Sequence, residues 1–210
     1  MNTKVKDLLR TIENHVSGVD LSQFGIDKDV YKNMSIEDKA NHRRKFGDDT
    51  EKYIADIIRG PLSLKGVSLY TTKELINKPE LEAYYLPMLD LVESLTGRPL
   101  NPKTDEKDLS IFDSFWGDFH IFTDDAYYPI LNIDLKLPLH PEEPDKYKSG
   151  TINLTSRNDF LRLQNSLSDM TCCRYLSMSL SGNNVIILDP ADIGNDWFGD
   201  YSYTVISQHC

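Results

Sequence analysis

The stretch PILNIDLKLP, residues 129–138, constrains the fold of this chain more than any other. Ile130, Leu131, Ile133, Leu135 and Leu137 make it one of the most apolar segments, with the length and composition of a core strand. Successive strand side chains point to opposite faces. Ile133, Leu135 and Leu137 therefore share one face, and Asn132, Asp134 and Lys136 share the other. That second face either meets water, as on one side of an antiparallel sheet, or forms a site.

Around this strand the patterning is mixed. Val5, Leu8, Leu9, Ile12 and Val16 carry helical spacing in the opening segment. Ser35, with Asp38 three positions on, predicts a helix start; Gly47 interrupts that helix, and spacing resumes through DDTEKYIADIIRG to Gly60-Pro61. SLKGVSLYTT is a short strand candidate, and residues 78–99 hold a helix broken or kinked at Pro87 and stopped at Gly97. From Ser110 the texture turns to β, through SIFDSFWGDFHIF and then AYYPILNIDLKL. SRNDFLRLQNSLSD is helical, CRYLSMSLSGNNVIILD forms two strands around a turn, and the tail GNDWFGDYSYTVIS adds a last one. The expected fold is a mixed α/β domain with a mostly helical N-terminal part. We divide it into a helical embellishment over 1–45, a core over 46–180 and C-terminal strands over 181–210.

The 210 residues are enough for one full core. No apolar run approaches a membrane span, and the N-terminus has no secretory apolar segment, so a cytoplasmic protein is expected. Cys172, Cys173 and Cys210 show neither metal-ligand spacing nor a disulfide framework. A net charge of −10 argues against generic, charge-driven nucleic-acid binding. P-loop, Rossmann, H-E-x-x-H and G-x-S-x-G patterns are all missing from the sequence.

Three acids stand where their local pattern did not require one. Asp134 lies beside Lys136 on the apolar strand, and Asp118 opens the preceding strand in GDFHIF. Glu51 aligns with Ile54, Ala55 and Ile58 on the inward stripe of a helix. Two carboxylates on neighbouring strands raise each other's pKa unless a cation lies between them. Oxygen ligands select a hard cation such as Mg²⁺, and a lysine close by can orient a water or stabilise charge on a phosphate. Such a set suits metal-assisted phosphodiester hydrolysis.

Asp118 followed, after residues 119–133, by Asp134-Leu135-Lys136 resembles the PD-(D/E)XK nuclease signature of type II restriction endonucleases and related enzymes. Gly117 stands where that pattern often has proline. The resemblance covers about residues 45–180 and implies a restriction-endonuclease-like mixed sheet flanked by helices. It implies Asp118 and Asp134 as metal ligands, Lys136 as the residue that positions or activates water, and Glu51 as an auxiliary ligand, directly or through water. Mg²⁺, replaceable by Mn²⁺, is the implied cofactor, and double-stranded DNA cut by a homodimer the implied biology.

Asp113 rivals Asp118 as first ligand, His120 shares a face with Asp118, and Gln164 loosely matches a glutamine found in some members. Arg43 and Arg44 in NHRRKF are candidate phosphate contacts or a solvated helix end. Asn153, Ser156 and Arg157 are candidate base readers beyond the lysine strand. The competing reading is a non-enzymatic acidic protein, such as an inhibitor, immunity protein or DNA mimic, bound to a basic partner. Convergence of Asp118, Asp134 and Lys136 on one point discriminates the two.

Overall fold

The computed structural model describes residues 2–137, 149–151, 156–167, 170–180, 182–183, 185–192 and 202–204. Five strands form the central sheet: β1 (Ser68–Thr71), β2 (Phe119–Phe122), β3 (Leu131–Lys136), β5 (Cys172–Met178) and β6 (Val185–Leu188), in the order β1-β2-β3-β5-β6. β3 and β5 run parallel, and every other pairing is antiparallel, so the sheet is mixed. The short strands β4 (Ser149–Thr151) and β7 (Ser202–Thr204) pair with each other in a separate ribbon. The strand expected within the tail GNDWFGDYSYTVIS is therefore found at Ser202–Thr204, outside the main sheet.

Helices cover both faces. Against one lie α1 (Thr3–Val16) and α3 (Ile36–Ser63), which bury Leu8, Ile12, Ile54 and Ile58 with Phe119, Ile121 and Ile133 of the sheet. Against the other lie α4 (Thr72–Asn77), α5 (Glu82–Thr96), α6 (Glu106–Trp116) and α7 (Arg157–Leu167), packed on Phe122, Cys173 and Tyr175. α2 (Lys28–Asn33) precedes α3. The polar face of β3 thus does not meet water: Asn132 is 0% and Asp134 6% exposed. The N-terminal helix shares the core of the sheet, and α3 runs across the boundary placed at residue 45.

Local chemistry explains most of these elements. Ser35 caps α3 by accepting from Asp38 N, Asp105 caps α6, and Gly97 ends α5 at φ 73°. Three expectations are corrected. Gly47 does not interrupt α3: a mid-helix glycine costs about 1 kcal/mol, and the continuous inward stripe of Phe46, Thr50, Ile54, Ile58 and Leu62 outweighs it. Pro87 does not break α5, which spans it while burying Tyr85, Met88 and Val92. Residues 110–116 are helix, not strand, because Phe112, Phe115 and Trp116 recur at i, i+3 and i+4 and are all buried. Among the described residues no helix is long and apolar enough to cross a membrane. Cys172 and Cys173 are free thiols.

Candidate active site

The two helical layers part at the end of the sheet where β3 finishes and β2 begins, leaving a cleft of about 660 Å³. One wall is α3, from His42 to Glu51, and the other is α6, from Glu106 to Asp113. Asp118, Leu135 and Leu137 form the floor, and Thr72 and Lys73 at the start of α4 close one side.

Asp118 is held from both sides of its own backbone. Its N–H donates to Ile133 O at 2.9 Å, and its Oδ2 accepts from Leu135 N at 2.6 Å. Gly117 makes this approach possible. At φ 75° and ψ −156° it occupies a region essentially restricted to glycine. A Cβ there would stand 2.9 Å from Ile133 O and 3.0 Å from Asp134 Cβ. Proline, fixed near φ −65°, cannot take this conformation.

Asp134 sits behind the floor on the buried face of β3. Lys136 Nζ lies 2.7 Å from its Oδ2, and Ser156 Oγ donates to the same oxygen at 2.9 Å. Ser156 also bonds Tyr175 OH at 3.1 Å, and Lys136 Nζ stands 5.6 Å above the Tyr175 ring. Tyr175 is Asp134's register partner on the parallel strand β5 and stacks on Phe160. The packed neighbours therefore hold Asp134 by one oxygen.

The electrostatics are those of crowded carboxylates. Asp118 is held well above the usual carboxylate range, by burial first and then by the negative charges of Asp134 and Glu51; Lys136 and the Leu135 N–H oppose the shift. Burial pushes Glu51 up to about 7, against the pull of Lys73 and with help from Asp113. Burial and Asp134 push Asp113 up to about 7 as well. Asp113 Oδ1 is buried and accepts no hydrogen bond. Each of these shifts reverses when a cation is placed among the oxygens, so the donor set fits Mg²⁺ chemically. Among the described residues no three His, Cys, Asp or Glu side chains stand together as a ready-made metal cage. Mg²⁺ binding through one or two carboxylates, with waters and phosphate oxygens completing the shell, requires no such cage. Glu51 lines the cleft beside Asp118.

The remaining expected residues divide. Arg43 and Arg44 line the cleft, and so does Asp113. Ser156 is buried and spends its hydroxyl on Asp134, so it does not read bases. Arg157 Nε donates to Pro190 O at 3.0 Å, away from the cleft. Asn153 lies outside the described residues. Gln164 accepts from Cys173 N at 3.1 Å and serves the start of β5. His120 is a core histidine: it is 0% exposed, 2.8 Å from Thr72 Oγ1 and 3.0 Å from Asn132 Oδ1, and burial lowers its pKa to about 4. Sequence reasoning did not single out Lys73, which pairs with Asp48 across the cleft, or Tyr175. A surface lysine and a strand tyrosine carry no local signal of such a position.

Comparison with protein-family models, with curated proteins and with solved structures finds no match to this chain.

Proposed function

We propose that the protein is a Mg²⁺-dependent nuclease that hydrolyses phosphodiester bonds, built on a restriction-endonuclease-like sheet. The observation that carries this reading is the meeting of Asp118, Asp134 and Lys136 at the β2–β3 end, beside a cleft lined by Glu51 and Asp113. Asp118 and Asp134 are the residues that would hold the ion. When bound, the metal supplies a Lewis acid for the phosphate and a more acidic water.

The chain's own residues do the rest. Lys136, fixed by Asp134 and by the Tyr175 ring, orients the attacking water and offers positive charge to the phosphate oxygens. Glu51, at the cleft wall, is suited to accept a hydrogen bond from the attacking water and orient it. Arg43 and Arg44 at the cleft wall are suited to hold the flanking phosphates. Arg44 is already ion-paired with Glu106, and a phosphate can replace that partner. An acidic protein acting as a DNA mimic would spread its carboxylates over a convex face. Here Glu51, Asp113 and Asp118 line a concavity, which favours the enzymatic reading.

The test is cleavage of plasmid and oligonucleotide substrates in Mg²⁺ or Mn²⁺, beside EDTA and the Asp134→Ala and Lys136→Ala variants. Metal-dependent products from the wild type, lost in both folded variants, are expected. Equal inertness of wild type and variants on duplex, single-stranded and RNA substrates refutes the reading.

A further inference from the structure

We infer that the polymer entering this cleft is a single unpaired polynucleotide strand rather than an intact duplex. The inference rests on the nuclease reading and narrows its substrate.

The first ground is size. Arg44 and Glu106 stand at the rim of the two helical walls, 3.7 Å apart and 65% and 85% exposed. Asp118 lies at the floor between those walls. A volume of about 660 Å³ is the size of a small-molecule pocket, about 300–1,000 Å³. A single strand suits such a space; a duplex, whose major groove alone is about 12 Å wide, far exceeds it.

The second ground is the chemistry of the walls. Phe46, Leu109, Leu135 and Leu137 flank the acids. The His42 ring, tilted against Phe46 at 6.5 Å, lies beside them with its buried Nε2 unpartnered. A duplex presents sugar and phosphate to its surroundings and would set charge against these apolar groups. An unpaired strand offers base faces that pack on them, with polar edges for His42.

The third ground is charge. Duplex binding draws its affinity from several neutralised phosphates. The chain carries a net charge of −10, and the cations lining the cleft are Arg43, Arg44 and Lys73. Arg44 is shared with Glu106, and Lys73 with Asp48. An exposed pair such as Arg44–Glu106 is weak, so a phosphate can displace Glu106 and open the rim for one strand. An unpaired strand has no two-fold symmetry, so this substrate does not call for the homodimer that duplex cutting implied.

The experiment compares cleavage of one sequence as a single strand, as a blunt duplex, as a duplex with an unpaired tail, and as the RNA strand, all in Mn²⁺. Binding of each to the wild type and to Leu109→Gln is followed in EDTA by anisotropy. The expected result is cutting of the strand and of the tail at least tenfold faster than the blunt duplex, with cuts confined to unpaired nucleotides. Leu109→Gln should weaken strand binding at least fivefold, and the DNA and RNA arms identify the preferred sugar. A blunt duplex cut as fast as the strand overturns the inference and leaves the nuclease reading standing. Absence of both cutting and binding on every substrate overturns both.

Discussion

Asp118 and Leu135 are joined by a 2.6 Å hydrogen bond from the Leu135 N–H to Asp118 Oδ2, placing one carboxylate between Asp134 and Lys136 of the neighbouring strand. The bond uses a lone pair that an amide oxygen also has. Asp118→Asn should therefore keep the fold, remove a carboxylate that is costly to ionise, and melt higher than wild type in EDTA at pH 8. Cleavage should fall below detection, because the amide is a poor partner for a hard cation. A variant that keeps wild-type activity would remove Asp118 from the metal site and pass its role to Asp113.

Ser156 was expected to touch bases, yet its hydroxyl reaches Asp134 Oδ2 at 2.9 Å from a buried position. Ser156→Ala leaves that oxygen to Lys136 alone. The stability cost should be about 1 kcal/mol, the net worth of one hydrogen bond. Activity should drop by about 10–100-fold, as when an outer partner of a metal ligand is lost. Urea titration beside a steady-state assay over a Mg²⁺ series separates the two effects, and the metal requirement should rise. An unchanged Mg²⁺ dependence would contradict the positioning role.

Gly117 is where fold and site meet. Any side chain must accept a strained φ of 75° and displace Ile133 O or the Phe160 ring, each 2.9 Å from the added carbon. The backbone strain alone costs of order 1–3 kcal/mol. At about 2–4 °C per kcal/mol for a chain of this size, Gly117→Ala should melt several degrees lower. Gly117→Pro should be worse, because its φ is fixed with the opposite sign. Equal melting of Gly117→Ala and wild type would refute the close approach of Gly117 to Ile133 and Phe160.

Much of this architecture was legible because its causes are local. The alternation in Leu131–Lys136, the Ser35 cap and the inward stripe carrying Glu51 each follow from neighbours in sequence. The helix over Glu106–Trp116 was misread because Ile111, Phe112, Phe115 and Trp116 are as common in strands as in buried helices, and the capping Asp105 lay upstream of the apolar run. The helical glycine at 47 and the proline at 87 were read by propensity, which tertiary packing overrode. Within the site, Asp118, Asp134 and Lys136 were visible as acids and a base out of pattern. Lys73 and Tyr175 were not, since they arrive from α4 and β5 and nothing in their own segments marks the distant carboxylates they attend.

The final prediction concerns pH and metal together, where two groups of residues pull in opposite directions. Glu51 and Asp113 ordinarily titrate near 4.5 and 3.8 and are raised to about 7 in the fold. The native state thus binds more protons than the unfolded one between about pH 4 and 7, and stability in EDTA falls as pH rises through that window. His120 has the reverse sign. Its pKa drops from 6.5 to about 4, so its contribution is complete above pH 6.5 and is lost as pH falls toward 4. At 1.36 kcal/mol per unit, that loss amounts to at most about 3 kcal/mol. Mg²⁺ held by Asp118 and Asp134 favours the ionised form of the carboxylates around it, so it opposes the first effect and leaves His120 untouched. Melting curves at pH 5, 6, 7 and 8 should show a Mg²⁺ stabilisation that is small at pH 5 and largest at pH 8. With the ion at a hundredfold its Kd, the gain is about 2.7 kcal/mol, or about 5–11 °C. In saturating Mg²⁺ the residual trend should carry His120's sign, with stability rising from pH 4 to 6.5. A Mg²⁺ shift that is the same at every pH would mean that the ion does not disfavour protons on the cleft carboxylates, and so is not bound beside them.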